Sequence, residues 1–387
     1  MTRKLVGLAL VVLLLTGVGS GIYFSGADEA SSAPDKGAVS GEAQTMAEKV
    51  QITGVTGSEK LVFLQDAKVQ NVMGKNGFQV VAKPAGSREM AVYPKLNEQD
   101  FAFPAGAPGA NRIKKETNAG QDFTPFYSVM VVASWKPIAQ LLEKNGIAKQ
   151  KNGTWYLLDM QKLMVWMKEG KRWKDIPGNT VYPVNKSVLI STTDVRKSNS
   201  AAMYLALTSF LANDNDIVAS EKDVQKVVPL LAPLYLKQGY QEASTAGPFD
   251  DYITMGMGKA PLVMIYEAQF LEYLAKTPPA ARNPDMVLMY PTPTVFTKHT
   301  LVPFTESGAR FGRLLATDPE LQRIAAEHGM RINNAAEFQK IQKGRGLDVP
   351  ENILDVIDPP SYEWLERMIK GIERNMQSTG HSKGRTT

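Results

Sequence analysis

The sequence predicts an α/β protein with mostly parallel sheets. Three observations carry that expectation. Short apolar runs alternate with helical stretches from Val50 onward, and a turn rich in Gly, Ser or Pro follows one strand after another. The chain has 387 residues, long enough for two domains, and its 43% hydrophobic and 21% charged residues are ordinary for a globular protein. In sheets of this kind ligands bind at the carboxyl ends of strands, where such turns lie.

Arg3 and Lys4 precede an uncharged stretch from Leu5 to Ala27 whose centre is apolar. Residues 1–27 therefore read as a signal or membrane-anchor helix. Ser25-Gly26-Ala27 offers small residues for cleavage. The basic residues before the span put the body outside the cytoplasm. A retained helix would tether it to the cell membrane; a cleaved one would release it as a periplasmic or secreted protein. Residues 28–49, rich in Ala, Ser, Gly, Asp and Glu without a period, read as a flexible linker.

Val50 to Val55 reads as a strand, Thr56-Gly57-Ser58-Glu59 as a turn, and Lys60 to Lys75 as a helix stopped by Asn76-Gly77. Phe78 to Ala82 is the next strand, and Ala85-Gly86-Ser87-Arg88 a turn entering a second helix. Phe101 to Phe103 leads into a third turn, Pro104 to Pro108. Val129 to Ala133 is an apolar strand followed by a helix near Pro137 to Asn145, and Trp155 to Met167 reads as core. Ser187 to Ile190 reads as a strand. The polar turn Ser191 to Asp194 follows, and then the cluster Lys197-Ser198-Asn199-Ser200 at the start of a helix over about Ala201 to Leu211. A helix covers Val224 to Gln238, and Met255 and Met257 flank Gly256 in a loop. Leu262 to Tyr266 is a strand ending in Glu267, and Met286 to Tyr290 another. Helices follow over Glu306 to Leu315, Pro319 to His328 and Pro360 to Arg374.

Net charge is +5 and pI about 9.0, with no dense Lys/Arg block interleaved with aromatics, so nucleic acid is not an expected partner. Basic residues toward the end, such as Lys370, Arg374, Lys383 and Arg385, read as a solvated tail. Cysteine is absent, which excludes disulfides, thiolate metal sites and a lipid-modified cysteine. Three histidines make a histidine-built metal site unexpected, and His299 reads as structural. No cofactor is expected. Gly256-Met257-Gly258-Lys259 resembles the end of a P-loop, but Ala260 stands where Ser or Thr is needed, and no Gly-x-Ser-x-Gly occurs.

Several hydroxyls and amides at a helix start make plain caps, or a site where free N–H groups and the helix dipole receive an anion. The recurrence of Gly/Ser and Ser/Asn turns after strands favours the second reading. Read with its order and spacing, the chain resembles a bacterial extracellular solute-binding protein of the type II periplasmic-binding-protein class, with an echo of the molybdate-type oxyanion binders. The resemblance covers roughly residues 50–345. It rests on Gly57-Ser58-Glu59, Ala85-Gly86-Ser87-Arg88, Phe103 to Pro108, Trp173 to Ile176, Ser198-Asn199-Ser200 and Tyr266-Glu267. It implies two lobes joined by crossing strands, with 50–135 and 290–345 in one and 136–289 in the other; beyond it, 346–387 read from the residues as a C-terminal helix and basic tail. It implies a ligand held between the lobes by Gly57, Ser58, Glu59, Gly86, Ser87, Arg88, Ser198, Asn199, Ser200, Tyr266 and Glu267.

Two residues depart from a simple oxyanion site. Glu59 either turns away as a first-turn residue favoured by the dipole, or the ligand also carries positive charge. Arg88 either clamps a carboxylate or phosphate, or pairs with Glu89 or Glu98 at the surface. Tyr266 is a cleft wall or a buried aromatic with its hydroxyl satisfied. The expected function is capture of a small anionic or zwitterionic solute for a membrane permease or sensor. The alternatives are an envelope interaction protein with a vestigial cleft, or an enzyme on the same scaffold.

Overall fold

The computed structural model describes residues 49–151, 154–239, 241–242 and 244–382. The N-terminal apolar segment and the linker up to residue 48 lie outside the described residues. Among the described residues no helix is long and apolar enough to cross a membrane.

The chain begins with β1 (Val50–Thr56), α1 (Ser58–Gln65), α2 (Ala67–Lys75), β2 (Phe78–Pro84), β3 (Phe101–Phe103) and α3 (Ala107–Thr117). The single helix expected over 60–75 is broken at Asp66. That residue leaves helical geometry and accepts a hydrogen bond from the Lys68 N–H, so it caps α2. β4 (Phe123–Trp135) is longer than its apolar centre, and α4 (Lys136–Lys144) follows directly. The aromatic stretch after it forms β5 (Ala148–Lys151), β6 (Trp155–Asp159) and α5 (Met160–Lys168). Then come α6 (Asn199–Ala212), α7 (Glu221–Leu236), α8 (Ala246–Met255), β7 (Leu262–Tyr266) and α9 (Glu267–Lys276). The chain closes with β8 (Met286–Thr292), β9 (Thr294–Pro303), α10 (Glu306–Thr317), α11 (Pro319–Glu327), α12 (Ala335–Gly344), β10 (Val356–Ile357) and α13 (Tyr362–Ser382).

The strand order is β2-β1-β3-β9-β4-β8-β6-β5, with β7 on β4 and β10 on β9. Four pairings are parallel (β1 with β2 and β3, β6 with β8, β10 with β9) and the others antiparallel, so the sheet is more mixed than the strand–turn–helix pattern predicts. β4 divides it. Phe123 to Val129 pairs with β9, whereas Met130 to Trp135 pairs with β7 and β8. The return crossing lies between β8 and β9. Each half has its own core: Ile52, Phe63, Phe101, Phe126 and Phe311 belong to one, and Val131, Leu163, Leu205, Ile265 and Met289 to the other.

Ser187 to Ile190 forms no strand. Isolated bridges join Ser187 to Arg172 and Ser191 to Val263, after which the Thr192 N–H turns to the Gln238 side chain. Met255 ends α8 and does not lie in an open loop. The basic residues Lys370 and Arg374 belong to α13, whose Leu365, Met368, Ile369 and Ile372 are buried, so this stretch is a packed helix rather than a solvated tail.

Candidate functional site

The parallel register of β1, β2 and β3 places three turns side by side. Thr56 at the end of β1 stands opposite Pro84 on one neighbour and Phe103 on the other. The chain therefore leaves this edge at Gly57, at Ala85-Gly86-Ser87 and at Pro104-Ala105-Gly106. Facing them are the start of α6 at Ser198 and the end of β7 at Tyr266. Between lies a cleft of about 390 Å3. One wall is Gly57, Glu59, Gly86, Ser87, Glu89 and Ala105; the other is Lys197, Ser198, Asn199, Ser244, Thr245 and Tyr266.

The walls approach closely at one end. Gly106 holds φ +91, and a Cβ there would lie 2.9 Å from Asn199 Oδ1, so glycine suits both the backbone and the contact. On its other side Asn199 Nδ2 donates to the Tyr266 hydroxyl at 3.2 Å. Burial, aided by the Glu59 charge, pushes the Tyr266 phenol up.

The floor is ionic. Lys60, fully buried, donates to Glu59 Oε1 at 2.6 Å and to His299 Nδ1 at 3.2 Å, with its ammonium over the Phe103 ring. Burial would raise the Glu59 carboxyl, but the Lys60 ammonium overrides it and holds the group at about 2. Burial, with Lys60 beside it, pushes His299 down to about 3, so the ring is neutral. Burial lowers Lys60 as well, against the pull of Glu59. The Glu59 carboxylate folds back over Gly57, where a Cβ would sit 2.7 Å from Oε1.

Of the residues singled out in the sequence, Gly57, Glu59, Gly86, Ser87, Ser198, Asn199 and Tyr266 meet at this cleft. Ser58 is the first residue of α1, between two of them. The Ser87 turn leads only into a three-residue 3-10 turn at Met90–Val92, not a helix. The Ser87 hydroxyl accepts from the Ala105 N–H at 2.8 Å, so it ties two turns together. Three residues go elsewhere. Arg88 turns to Glu366 on α13 at 2.6 Å and to the Arg196 carbonyl, neither the ligand clamp nor the Glu89 or Glu98 partner expected. Glu267 is buried in a bidentate pair with Arg331 (2.6 and 2.9 Å) and accepts from the Tyr290 hydroxyl. Ser200 is buried in a hydroxyl chain between Thr193 and Ser198.

Sequence reading gave no ligand-binding role to Lys60, Glu89, Lys197, Ser244 or Thr245; Glu89 figured there only as a surface partner for Arg88. Lys197 stands inside the cluster singled out at the α6 start. Lys60 had only the weak signal of a lysine next to Glu59 opening an apolar helix. No group of three metal-ligating side chains lies together among the described residues.

No family model matches the chain, and no curated protein does. Solved structures do. A candidate extracellular solute-binding protein from Bordetella parapertussis superposes with a TM-score of 0.52 at 11% identity, over 85% of this chain and 98% of that one. This chain has the type II periplasmic-binding-protein fold. An ABC transporter structure from Clostridium perfringens shares this fold at TM-score 0.51 and 13% identity, over 84% and 99% of the two chains. Iron-bound HitA from Pseudomonas aeruginosa shares it at 0.50 and 12%, also over 84% and 99%. At these identities the likeness is one of fold.

Proposed function

We propose that this protein is an extracytoplasmic solute-binding protein. Its cleft captures a small anionic or zwitterionic solute and presents it to a membrane permease or sensor. The two lobes are the two halves of the sheet, and the hinge is where β4 and the β8–β9 connection pass between them. The names of the structures that share the fold support the reading: one is a solute-binding protein, one an ABC transporter, one an iron-bound protein.

One observation carries it within this chain. The N–H groups of Gly86 and Ser87 on one wall, and of Asn199 on the other, make no hydrogen bond to protein among the described residues. Free amides grouped at turns and at a helix start receive negative groups. The same cleft also offers a carboxylate, which suits a ligand bearing a donor. No catalytic step is assigned to it.

Native mass spectrometry of freshly purified protein, followed by calorimetry with whatever small solute is retained, tests the reading. A one-to-one complex is expected. Asn199→Ala should weaken it roughly 10- to 100-fold, since losing a donor to a bound anionic group removes about 1.5–3 kcal/mol. A variant that binds as tightly as the parent would place the ligand elsewhere.

A further inference from the structure

The two walls of the cleft carry opposite charge. Both carboxylates that line it, Glu59 and Glu89, belong to the β1–β2–β3 wall. Lys197, the one lysine or arginine lining it among the described residues, belongs to the opposite wall, next to the free N–H of Asn199 at the α6 start. Building on the solute-binding reading, we propose that the ligand is a zwitterion of amino-acid type. Its ammonium lies on the Glu59 and Glu89 wall, and its carboxylate lies on Lys197 and the Asn199 N–H.

The charge balance favours this over a bare oxyanion. Lys60 lies buried behind Glu59, and together with Lys197 it offsets Glu59 and Glu89. His299, held neutral, adds nothing. A divalent oxyanion would enter a cleft whose own charges already cancel, with two carboxylates on one wall. A zwitterion leaves the balance unchanged and meets its complement on both sides. Glu59 has acceptor capacity left, because Lys60 engages Oε1 and no side-chain donor reaches Oε2 among the described residues.

The chemistry also selects the kind of cation. A quaternary ammonium has no N–H and is held by several aromatic faces. Here Tyr266 is the only aromatic residue lining the cleft among the described residues, against two carboxylates. The wall therefore suits an ammonium that donates hydrogen bonds. A volume of about 390 Å3 lies toward the small end of ligand sites and fits a compact solute.

The test is calorimetry on the whole chain with the protein amino acids, their N-acetyl forms, glycine betaine, and sulfate, phosphate and molybdate. At least one amino acid should bind, and acetylating its nitrogen should weaken it by about tenfold or more. Glu89→Gln should weaken the same amino acid. Glu59→Gln should do so more strongly, with circular dichroism confirming that the variant is folded; the acetylated ligand gives the same readout without any change to the protein. Equal binding of the acetylated form or of betaine overturns the inference, and so does the absence of amino-acid binding. If an oxyanion binds instead and Asn199→Ala abolishes it, the solute-binding reading stands while the zwitterion does not. If no probe binds and native mass spectrometry finds no retained solute, both fall.

Discussion

Glu267 and Glu59 look alike in the sequence, each a glutamate just after a strand-end turn residue. Their surroundings make them different. Glu267 is fully buried against Arg331, whose guanidinium also reaches the Pro350 and Glu351 carbonyls and packs over Phe338. The pair joins α9 to the segment after α11, so its role is architectural. Glu267→Ala leaves Arg331 buried and uncompensated, and should remove about 3–5 kcal/mol in urea unfolding. Ser87→Ala removes the acceptor of the buried Ala105 N–H and should lower stability by about 1–3 kcal/mol, so a binding change in that variant has to be corrected for folding. The ionic floor predicts a pH dependence with a definite sign. His299 falls from 6.5 to about 3 on folding, so its contribution is full above pH 6.5 and is lost as pH falls toward 3. Glu59 falls from 4.5 to about 2, so its contribution fades over the lower window. His299→Gln should therefore show a flatter stability profile than the parent between pH 6.5 and 4, measured by urea midpoints. Equal slopes would mean that the ring is solvated.

Strands were legible where they are apolar runs closed by turns, and illegible where buried polar residues interrupt the run. β1, β2, β3, β7 and β8 announce themselves as apolar runs closed by turns. β9 does not: Thr294 to Pro303 is buried at almost every position except Lys298, so it has no period of two, and its threonines and His299 hide a strand packed on both sides. The Ser87 turn reads as a helix start because local composition carries no record of the Ala105 N–H that holds it. Arg88 is the same kind of failure on a longer range, since its partner lies in the last helix. That helix, α13, packs on α7 in the second half of the sheet yet touches the first. Glu366 pairs with Arg88, and the Tyr362 ring and hydroxyl meet Arg112 of α3. α13 thus straps one wall of the cleft to the other half of the molecule. Glu366→Ala removes a half-buried charge-assisted contact and should lower stability modestly, by about 1–2 kcal/mol. It should also raise amide exchange in the turn around Arg88. Unchanged exchange there would show that Arg196 alone fixes the turn.

The whole molecule was readable as an α/β fold with ligand-binding turns at strand ends, because that arrangement follows from local signals repeated in order. What joins its halves came only from the resemblance and not from local signals, since it depends on strands whose partners change along their length. β4 pairs with β9 up to Val129 and with β7 and β8 from Met130, so it belongs to both halves without a break. The second connection, from β8 to β9, lies next to it. In the proposed closure the two adjacent crossings are the hinge, and among the described residues the cleft walls meet at Gly106 against Asn199 and near Arg88, which donates to the Arg196 carbonyl. Such an arrangement favours rigid-body closure, in which each core stays packed while a few residues between strands absorb the rotation. Charge on opposite walls would oppose nothing on closing, and a ligand with complementary ends would bias the closed form by its differential affinity. We expect small-angle scattering to show a smaller radius of gyration with the bound solute than after its removal by partial unfolding and refolding. Backbone exchange near residues 129–131 and 292–294 should change with ligand, while that of Leu205 and Phe311, deep in the two cores, should not. Scattering curves that superpose, with exchange altered in the cores instead, would mean that the halves form one rigid body and that the cleft works without closing.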